Sequence, residues 1–531
     1  MRKAKRGIPS IAASIVLCVV LAVGQGCRQA LEPPSLVIVI VVDQLRGDLL
    51  DEFSPAFSGG FERLISDGYR YTNASHPFAV TQTAPGHASI STGVLPARSG
   101  IVANTWSQRT GENWQTTYSV EDSESPILGF EDTDGVSGRS PKNLLRSGLA
   151  DWVRNGDENA LTVSVSAKDR AAITLAGKTG SHAYWLLHDE ARFVTSHYYA
   201  QSYPGWVQSF NEEAMKTLVA DSVWNTEVPV ELQSLARPDS AEYERRGNST
   251  FPHVSSLEER DHYEWVFDSP KSDEAVLELA KVAMRELALG QRGSVDLLTL
   301  GLSSTDYIGH LFGPLSQEQL SNLMHLDRIL GEFLGYLDTN IGEGRWVLAL
   351  SSDHGVSTMP EYLQEQGDTS ARRISAREKT RSRSDAARAA IAAGGSAEDV
   401  AERLARAVEV QGIVTKAYTH RDLTLGEPVD SFAILFRNSH YPGRGHGALS
   451  RYGVETRYGE GELLYGANGT SHGTPYWYDR HVPLILFGKG IDAGVSDAPA
   501  YTIDIAPTLA YLAGVGTMPD DLDGRVIYPE R

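Results

Sequence analysis

The chain has 531 residues, 41% of them hydrophobic, which suits one large α/β domain with insertions or two to three smaller domains. Its formal charge of −20 argues against a general nucleic-acid or anionic-membrane surface, and an anionic ligand needs metals or placed cations to reverse the local field. Both cysteines, Cys18 and Cys27, lie near the N-terminus, so any metal in the rest of the chain must be held by carboxylates and by the 15 histidines.

The first segment is read as targeting, not fold. Arg2, Lys3, Lys5 and Arg6 form a basic start, Ile11 to Val23 is an apolar run, and Gly24-Gln25-Gly26-Cys27 follows. Residues 1–27 resemble a bacterial lipoprotein signal with Cys27 as the lipidated residue, although Gly24 stands where a larger aliphatic residue is usual. This implies a periplasmic or cell-envelope protein, anchored by lipid to the outer membrane and touching the membrane only there; plain secretion is the alternative.

Ser35 to Val42 is a continuous β-branched run, read as a buried strand of a largely parallel sheet that ends at Asp43. In Val80 to Ser89, Thr83 stands where a helix N-cap would stand and Pro85 falls in the first turn. A hydroxyl at that place lies over unpaired backbone N–H groups and the positive end of a helix dipole, which favours a phosphate. Leu161 to Ser166 is a strand leading to Lys168-Asp169-Arg170. If that tripeptide is extended, both cations fall on one side. Residues from about 185 to 265, rich in Trp, Tyr and charge, read as an inserted cap. Ser272 to Leu289 is an amphipathic helix, Ser294 to Leu302 a strand leading to Asp306, Leu326 to Leu337 a helix, and Arg345 to Ser351 a strand leading to Asp353-His354. The Arg-, Ser- and Ala-rich stretch Ser370 to Gly395 reads as an exposed helical excursion whose charge is a solvated face. His481 to Phe487 is a late strand, and Ile503 to Leu512 a closing helix.

Strand ends are where α/β sheets place ligands. Asp43, Asp306 with His310 four residues on, Asp353-His354 and a later His472 form such a set, and nitrogen and carboxylate donors suit Zn²⁺. Three Asp and three His suffice for two ions, which together clamp the attacking and leaving oxygens of a phosphoryl transfer. Taken singly, each has a plainer role: strand-end Asp residues cap helices, and His87, His440, His446 and His481 are read as structural.

The ordered set Asp43, Thr83, Asn104, Lys168-x-Arg170, Asp306-x-x-x-His310, Asp353-His354 and His472-Gly-Thr-Pro resembles the alkaline phosphatase superfamily across the whole chain after residue 27. It is most similar to the bacterial phosphate-irrepressible, single-subunit alkaline phosphatases with a threonine nucleophile. The resemblance implies a three-layer α/β sandwich with a mostly parallel central sheet, helices on both faces and inserted cap regions. Residues 28–531 would be one catalytic domain, with insertions near 185–265 and 360–440. Asp306, His310 and His472 would hold one Zn²⁺. Asp43, Asp353 and His354 would hold a second, with Thr83 as its open-position ligand and nucleophile. Asn104, Lys168 and Arg170 would bind the phosphate. The implied enzyme is a monomeric alkaline phosphomonoesterase for small phosphate monoesters, working through a phosphothreonine intermediate. Two cations at the non-bridging oxygens favour a dianionic monoester over a diester. The rival readings are a phosphodiesterase or nucleotide pyrophosphatase of the same superfamily, and a non-catalytic metal-stabilised binding lipoprotein. Thr81 also precedes Pro-Gly-His; Thr83 is chosen by its spacing to Thr92-Gly93 and Asn104. Sulfatases of the superfamily use a Cys or Ser modified to formylglycine; both cysteines lie in the signal segment and Thr cannot be so modified, which argues against a type I sulfatase.

Overall fold

The structure, a computed structural model, describes residues 32–528 apart from 112, 132, 134, 245–248, 256–258, 426 and 464–467. The signal segment expected at 1–27 lies outside the described residues.

A nine-stranded sheet runs through the molecule. Its strands are β1 Leu36–Val42, β2 Tyr69–Tyr71, β3 Thr162–Ser166, β4 His182–Leu187, β5 Arg192–Val194, β6 Asp296–Leu302, β7 Trp346–Ser351, β8 Leu484–Gly488 and β9 Gly494–Ser496. They lie in the order β9-β2-β8-β7-β1-β6-β3-β4-β5, and only β5 and β8 run against the rest. Every residue of β1 is buried because both faces of the sheet are covered. Leu36, Ile38, Ile40 and Val42 join one apolar cluster and Val37, Val39 and Val41 the other, as the period of two along a strand requires. The first cluster packs under α1 Gly60–Asp67, α5 Lys271–Glu286 and α7 Gln317–Leu337. The second packs under α2 Thr83–Thr92, α3 Leu149–Gly156 and α11 Ile505–Leu512. This is the three-layer α/β sandwich expected from the sequence. α4 Asp169–Ala176 follows β3, and α6 Ser304–Phe312 follows β6.

Several boundaries differ from the sequence reading. α7 begins nine residues before Leu326, where the Ser316 hydroxyl accepts from the Gln319 N–H. Its first turn, Gln317-Glu318-Gln319, is polar yet buried, so it carries no apolar period. The excursion expected from 185 starts later, because β4 and β5 belong to the sheet. Residues 183–186 of β4 are all buried, and a strand covered on both faces shows no alternation.

The region after 360 builds a cap with its own apolar cluster. It contains α8 Ala376–Ala392, α9 Ala397–Val410, α10 Ser431–Ser439 and the paired strands Lys416–Thr419 and Val454–Arg457. The short strand Arg444–Gly445 joins it to Ser107–Gln108 of the main domain.

The N-terminus of α1 is capped from a distance. The Asp327 carboxylate on α7 accepts from the N–H groups of Ser58 (2.8 Å), Gly59 (2.7 Å), Phe61 (2.7 Å) and Glu62 (3.3 Å). Removing it leaves four donors without that acceptor, so Asp327→Ala is expected to lower unfolding stability by about 3 kcal/mol, read by urea titration.

Candidate active site

The site stands on four adjacent parallel strands. In the order β7, β1, β6, β3, their carboxyl ends lead to Asp353, Asp43, Asp306 and Lys168. The ends are nearly flush: Val42 is level with Leu302, Val41 with Ser351, and Gly301 with Ser166. Neighbouring strands lie about 4.8 Å apart, so side chains from successive ends are forced into contact.

Lys168 Nζ donates to Asp43 Oδ2 at 2.6 Å and also to Asp306 Oδ2. The sequence reading gave this lysine to the phosphate alone; the structure sets it between two of the expected metal ligands. Burial alone would lower its pKa, but Asp306 and Asp43 reverse that and raise it above the ordinary lysine range. Burial and the Asp353 carboxylate push Asp43 well above the usual carboxylate range, against the pull of Lys168. For Asp306, Lys168, His310 and His472 outweigh burial and hold it well below.

Three histidines are oriented in the same way. The Nδ1–H groups of His354, His310 and His472 donate to the carbonyls of Gly355 (2.9 Å), Thr470 (2.8 Å) and Thr81 (2.7 Å). Each Nε2 is thereby turned toward a carboxylate. His354 Nε2 lies 3.5 Å from Asp43 Oδ1 and 3.4 Å from Asp353 Oδ2. His310 and His472 Nε2 lie 3.2 and 3.6 Å from Asp306 Oδ1. His354 Nε2 and Asp43 Oδ1 are fully buried acceptors that face one another without a hydrogen-bond partner. Acceptors converging without a proton fit a cation, and this thiolate-free donor set fits Zn²⁺. At these strand ends, two donor groups lie close enough to share an ion, Asp306, His310 and His472, and Asp43, Asp306 and His354; Asp353 adjoins the second.

Thr83 is not the N-cap. Gln82, extended at φ −127° and ψ 163°, occupies that place, and Thr83 is the first helical residue. The Asn104 Oδ1 caps the helix instead, accepting from the Ala84 N–H at 2.8 Å. This leaves the Thr83 hydroxyl available to the site, and it fixes the amide of Asn104 so that Nδ2 remains a donor. Arg170 Nη2 donates to Thr83 Oγ1 at 3.3 Å.

Lys168-Asp169-Arg170 is not extended throughout. Lys168 is extended, whereas Asp169 and Arg170 begin α4. Both cations still reach the site, from the N-terminal end of that helix. Asp169 braces the turn, accepting from Tyr118 Oη (2.5 Å) and Arg139 Nε (2.6 Å). The N-termini of α2 and α4 thus both open on Thr83, and their dipoles favour an anion there.

Two contributors, Gln44 and Gly86, escape the sequence reading, and a third, His87, is read there as structural. Gln44 holds φ +69°, donates its backbone N–H to Asp353 (3.1 Å) and its Nε2 to Asp306 (2.6 Å), and so ties two acids together. His87 Nδ1 lies 3.2 Å from Asp353 Oδ2 and 2.9 Å from the Thr83 carbonyl. Gly86 packs so tightly that a Cβ would stand 2.2 Å from the Asp353 carbonyl oxygen. Their only trace in sequence is adjacency to Asp43 and Thr83. Beside this acid and histidine cluster, a cavity of about 400 Å³ lies between Gln82 and His472 on one side and Lys379, Arg383 and Tyr458 of the cap on the other. The cations of α8 are therefore not all a solvated face: Lys379 and Arg383 line this cavity.

A mostly parallel sheet with this acid and histidine cluster at its carboxyl edge belongs to the alkaline phosphatase superfamily. Residues 37–458 match the family model of type I phosphodiesterase / nucleotide pyrophosphatase, and the chain belongs to that family. It is 38% identical over 343 residues to alkaline phosphatase PhoV of Synechococcus elongatus, a match spanning 63% of this chain and 62% of that relative. A Myroides odoratus protein named calcium-transporting ATPase is 31% identical over 91% of this chain and 92% of its own. Alkaline phosphatase PafA of Elizabethkingia meningoseptica is 29% identical over 94% of each chain. The crystal structure of wild-type PafA superposes with a TM-score of 0.83 at 27% identity, covering 94% of this chain and 99% of that one. The chain is an enzyme, a hydrolase of phosphate esters.

Gly86→Ala is expected to shift Asp353, cut phosphate-ester hydrolysis by about 100-fold and lower the melting temperature by several degrees, because the clash is with backbone atoms. Steady-state kinetics beside a thermal melt check this.

Proposed function

We propose that this enzyme is a two-zinc alkaline phosphomonoesterase with Thr83 as nucleophile. The observation that carries the reading is Thr83 Oγ1 held 3.3 Å from Arg170 Nη2 at the first turn of α2. A hydroxyl and a guanidinium converge there where two helix N-termini meet. Asp306, His310 and His472 would hold one ion, and Asp43, Asp353 and His354 the other. When bound, the ions supply positive charge that lowers the pKa of the nucleophilic hydroxyl and offsets the charge of the departing alkoxide.

The chain's own residues do the rest. Thr83 presents its hydroxyl to the phosphorus and carries the phosphoryl group as a phosphothreonine until water releases it. Arg170 and the Asn104 amide bind non-bridging oxygens, and Lys168 adds a second positive charge beside them. Two cations favour a phosphate monoester, whose non-bridging oxygens carry one more negative charge than those of a diester. The basic lining of the neighbouring cavity draws anions into a chain whose net charge would repel them.

The family model's own description favours a second reading, a diesterase, and one comparison separates the two. Hydrolysis of an aryl phosphate monoester is expected to exceed that of the matched diester. A large excess of diester hydrolysis overturns the proposal. Arg170→Ala is expected to lower kcat/KM for the monoester by about 1,000-fold, or about 4 kcal/mol, and for the diester by less. Arg170 is the cleaner probe, because losing Lys168 also leaves Asp43 and Asp306 unpaired. Thr83→Ala is expected to abolish a phosphoenzyme trapped by acid quench.

The basic and apolar residues before Cys27 support lipid anchoring in the cell envelope, with the catalytic domain acting there as a monomer on small phosphate monoesters. Among the described residues no helix is long and apolar enough to cross a membrane.

A further inference from the structure

A second cluster of metal-type donors lies in the cap, apart from the residues above. We propose that His420, His440 and Glu455 bind one divalent transition-metal ion of the zinc type, which clamps the cap. One ligand atom from each of the three residues lies within 4.8 Å of the others. His420 Nε2 and Glu455 Oε1 are 3.4 Å apart. Zinc bonds of about 2.1 Å to tetrahedral ligands space neighbouring donors by about 3.4 Å. The rings of His420 and His440 are 4.3 Å between centroids, close enough for one ion to take a nitrogen from each.

The surroundings orient the donors. His446 Nδ1 lies 3.0 Å from the second oxygen, Oε2, of the buried Glu455, which leaves Oε1 toward His420. The backbone N–H of His420 donates to the Gly453 carbonyl at 2.8 Å and sets the start of its helical turn against the strand that carries Glu455. Two imidazoles and one carboxylate, with an outer group on the carboxylate, form a recurrent zinc donor set.

The three donors come from separate segments. His420 follows the strand Lys416–Thr419, His440 follows α10, and Glu455 lies on Val454–Arg457. The segment between them carries Arg444–Gly445, which pairs with Ser107–Gln108 just beyond Asn104. His446 also lines the cavity that reaches His472. An ion here would fasten the cap wall beside the site without touching the reacting atoms. His440 and His446, read from sequence as structural, then have a metal-linked structural role.

The test compares bound zinc in the wild-type chain with His420→Ala/His440→Ala and with Glu455→Gln. Each is dialysed against micromolar zinc and measured by inductively coupled plasma mass spectrometry. Both variants are expected to hold about one zinc ion per chain fewer than wild type. The difference does not depend on how many ions the catalytic cluster holds. Equal zinc content in wild type and Glu455→Gln overturns the proposal. If the double variant fails to fold, judged by circular dichroism, the shape-preserving Glu455→Gln decides alone.

Discussion

The contact between Lys168 and the pair Asp43 and Asp306 is the constraint on which the rest depends. Three carboxylates, those of Asp43, Asp306 and Asp353, are buried at one edge of one sheet. Without compensating charge such a cluster is unfavourable by many kcal/mol, and in a chain of this net charge the wider field does not help. Lys168 supplies compensation from within the fold, and the inward-facing imidazoles of His354, His310 and His472 prepare the site for more. The same feature that makes the site costly to fold makes it strong for phosphate chemistry, because charges held in a dry pocket act at low effective dielectric.

This arrangement requires close backbone packing around it. Every residue of α2 is buried, and its run of Ala, Gly, Ser and Thr has no large side chain except His87 and Ile90. That allows Gly86 to rest against Asp353 while Thr83 faces Arg170. Remote side chains replace local caps: Asn104 caps α2, and Asp273 Oδ1 accepts from the Ser303 and Ser304 N–H groups at the start of α6. Each such contact spends a side chain from another segment, so the helices that carry Thr83 and Asp306 are positioned by tertiary structure rather than by their own ends. The cap adds a further layer, placing Lys379 and Arg383 on a cavity beside a site that its own segment does not build.

Much of this was legible in sequence because the relevant signals are local. The continuous β-branched run before Asp43, the strands before Asp306 and Asp353, and the spacing of Asp306 to His310 each declare themselves within a few residues. The parts that were not legible involve groups whose meaning depends on distant partners. β4 hid because its buried Ala-Tyr-Trp-Leu run neither alternates nor carries the β-branched residues that mark β1. The first turn of α7 hid because its polar residues are satisfied by neighbours far along the chain; Gln317, for example, reaches the carbonyls of Gln233 and Arg237. Gln44 is an ordinary residue until its left-handed backbone brings its main-chain N–H to Asp353 and its side-chain amide to Asp306.

By itself the sequence determined the strand ends, the residue types at them and therefore the kind of chemistry, since donor identity and burial propensity are properties of single residues and short runs. Only the tertiary structure decided the order β7-β1-β6-β3, which sets Asp353, Asp43, Asp306 and Lys168 side by side. It also decided that Thr83 opens its helix rather than capping it, and that Arg170 reaches it from a helix instead of an extended segment. Pairing order and helix capping are settled by which surfaces bury the most apolar area together, and that competition is not written in any one stretch of chain.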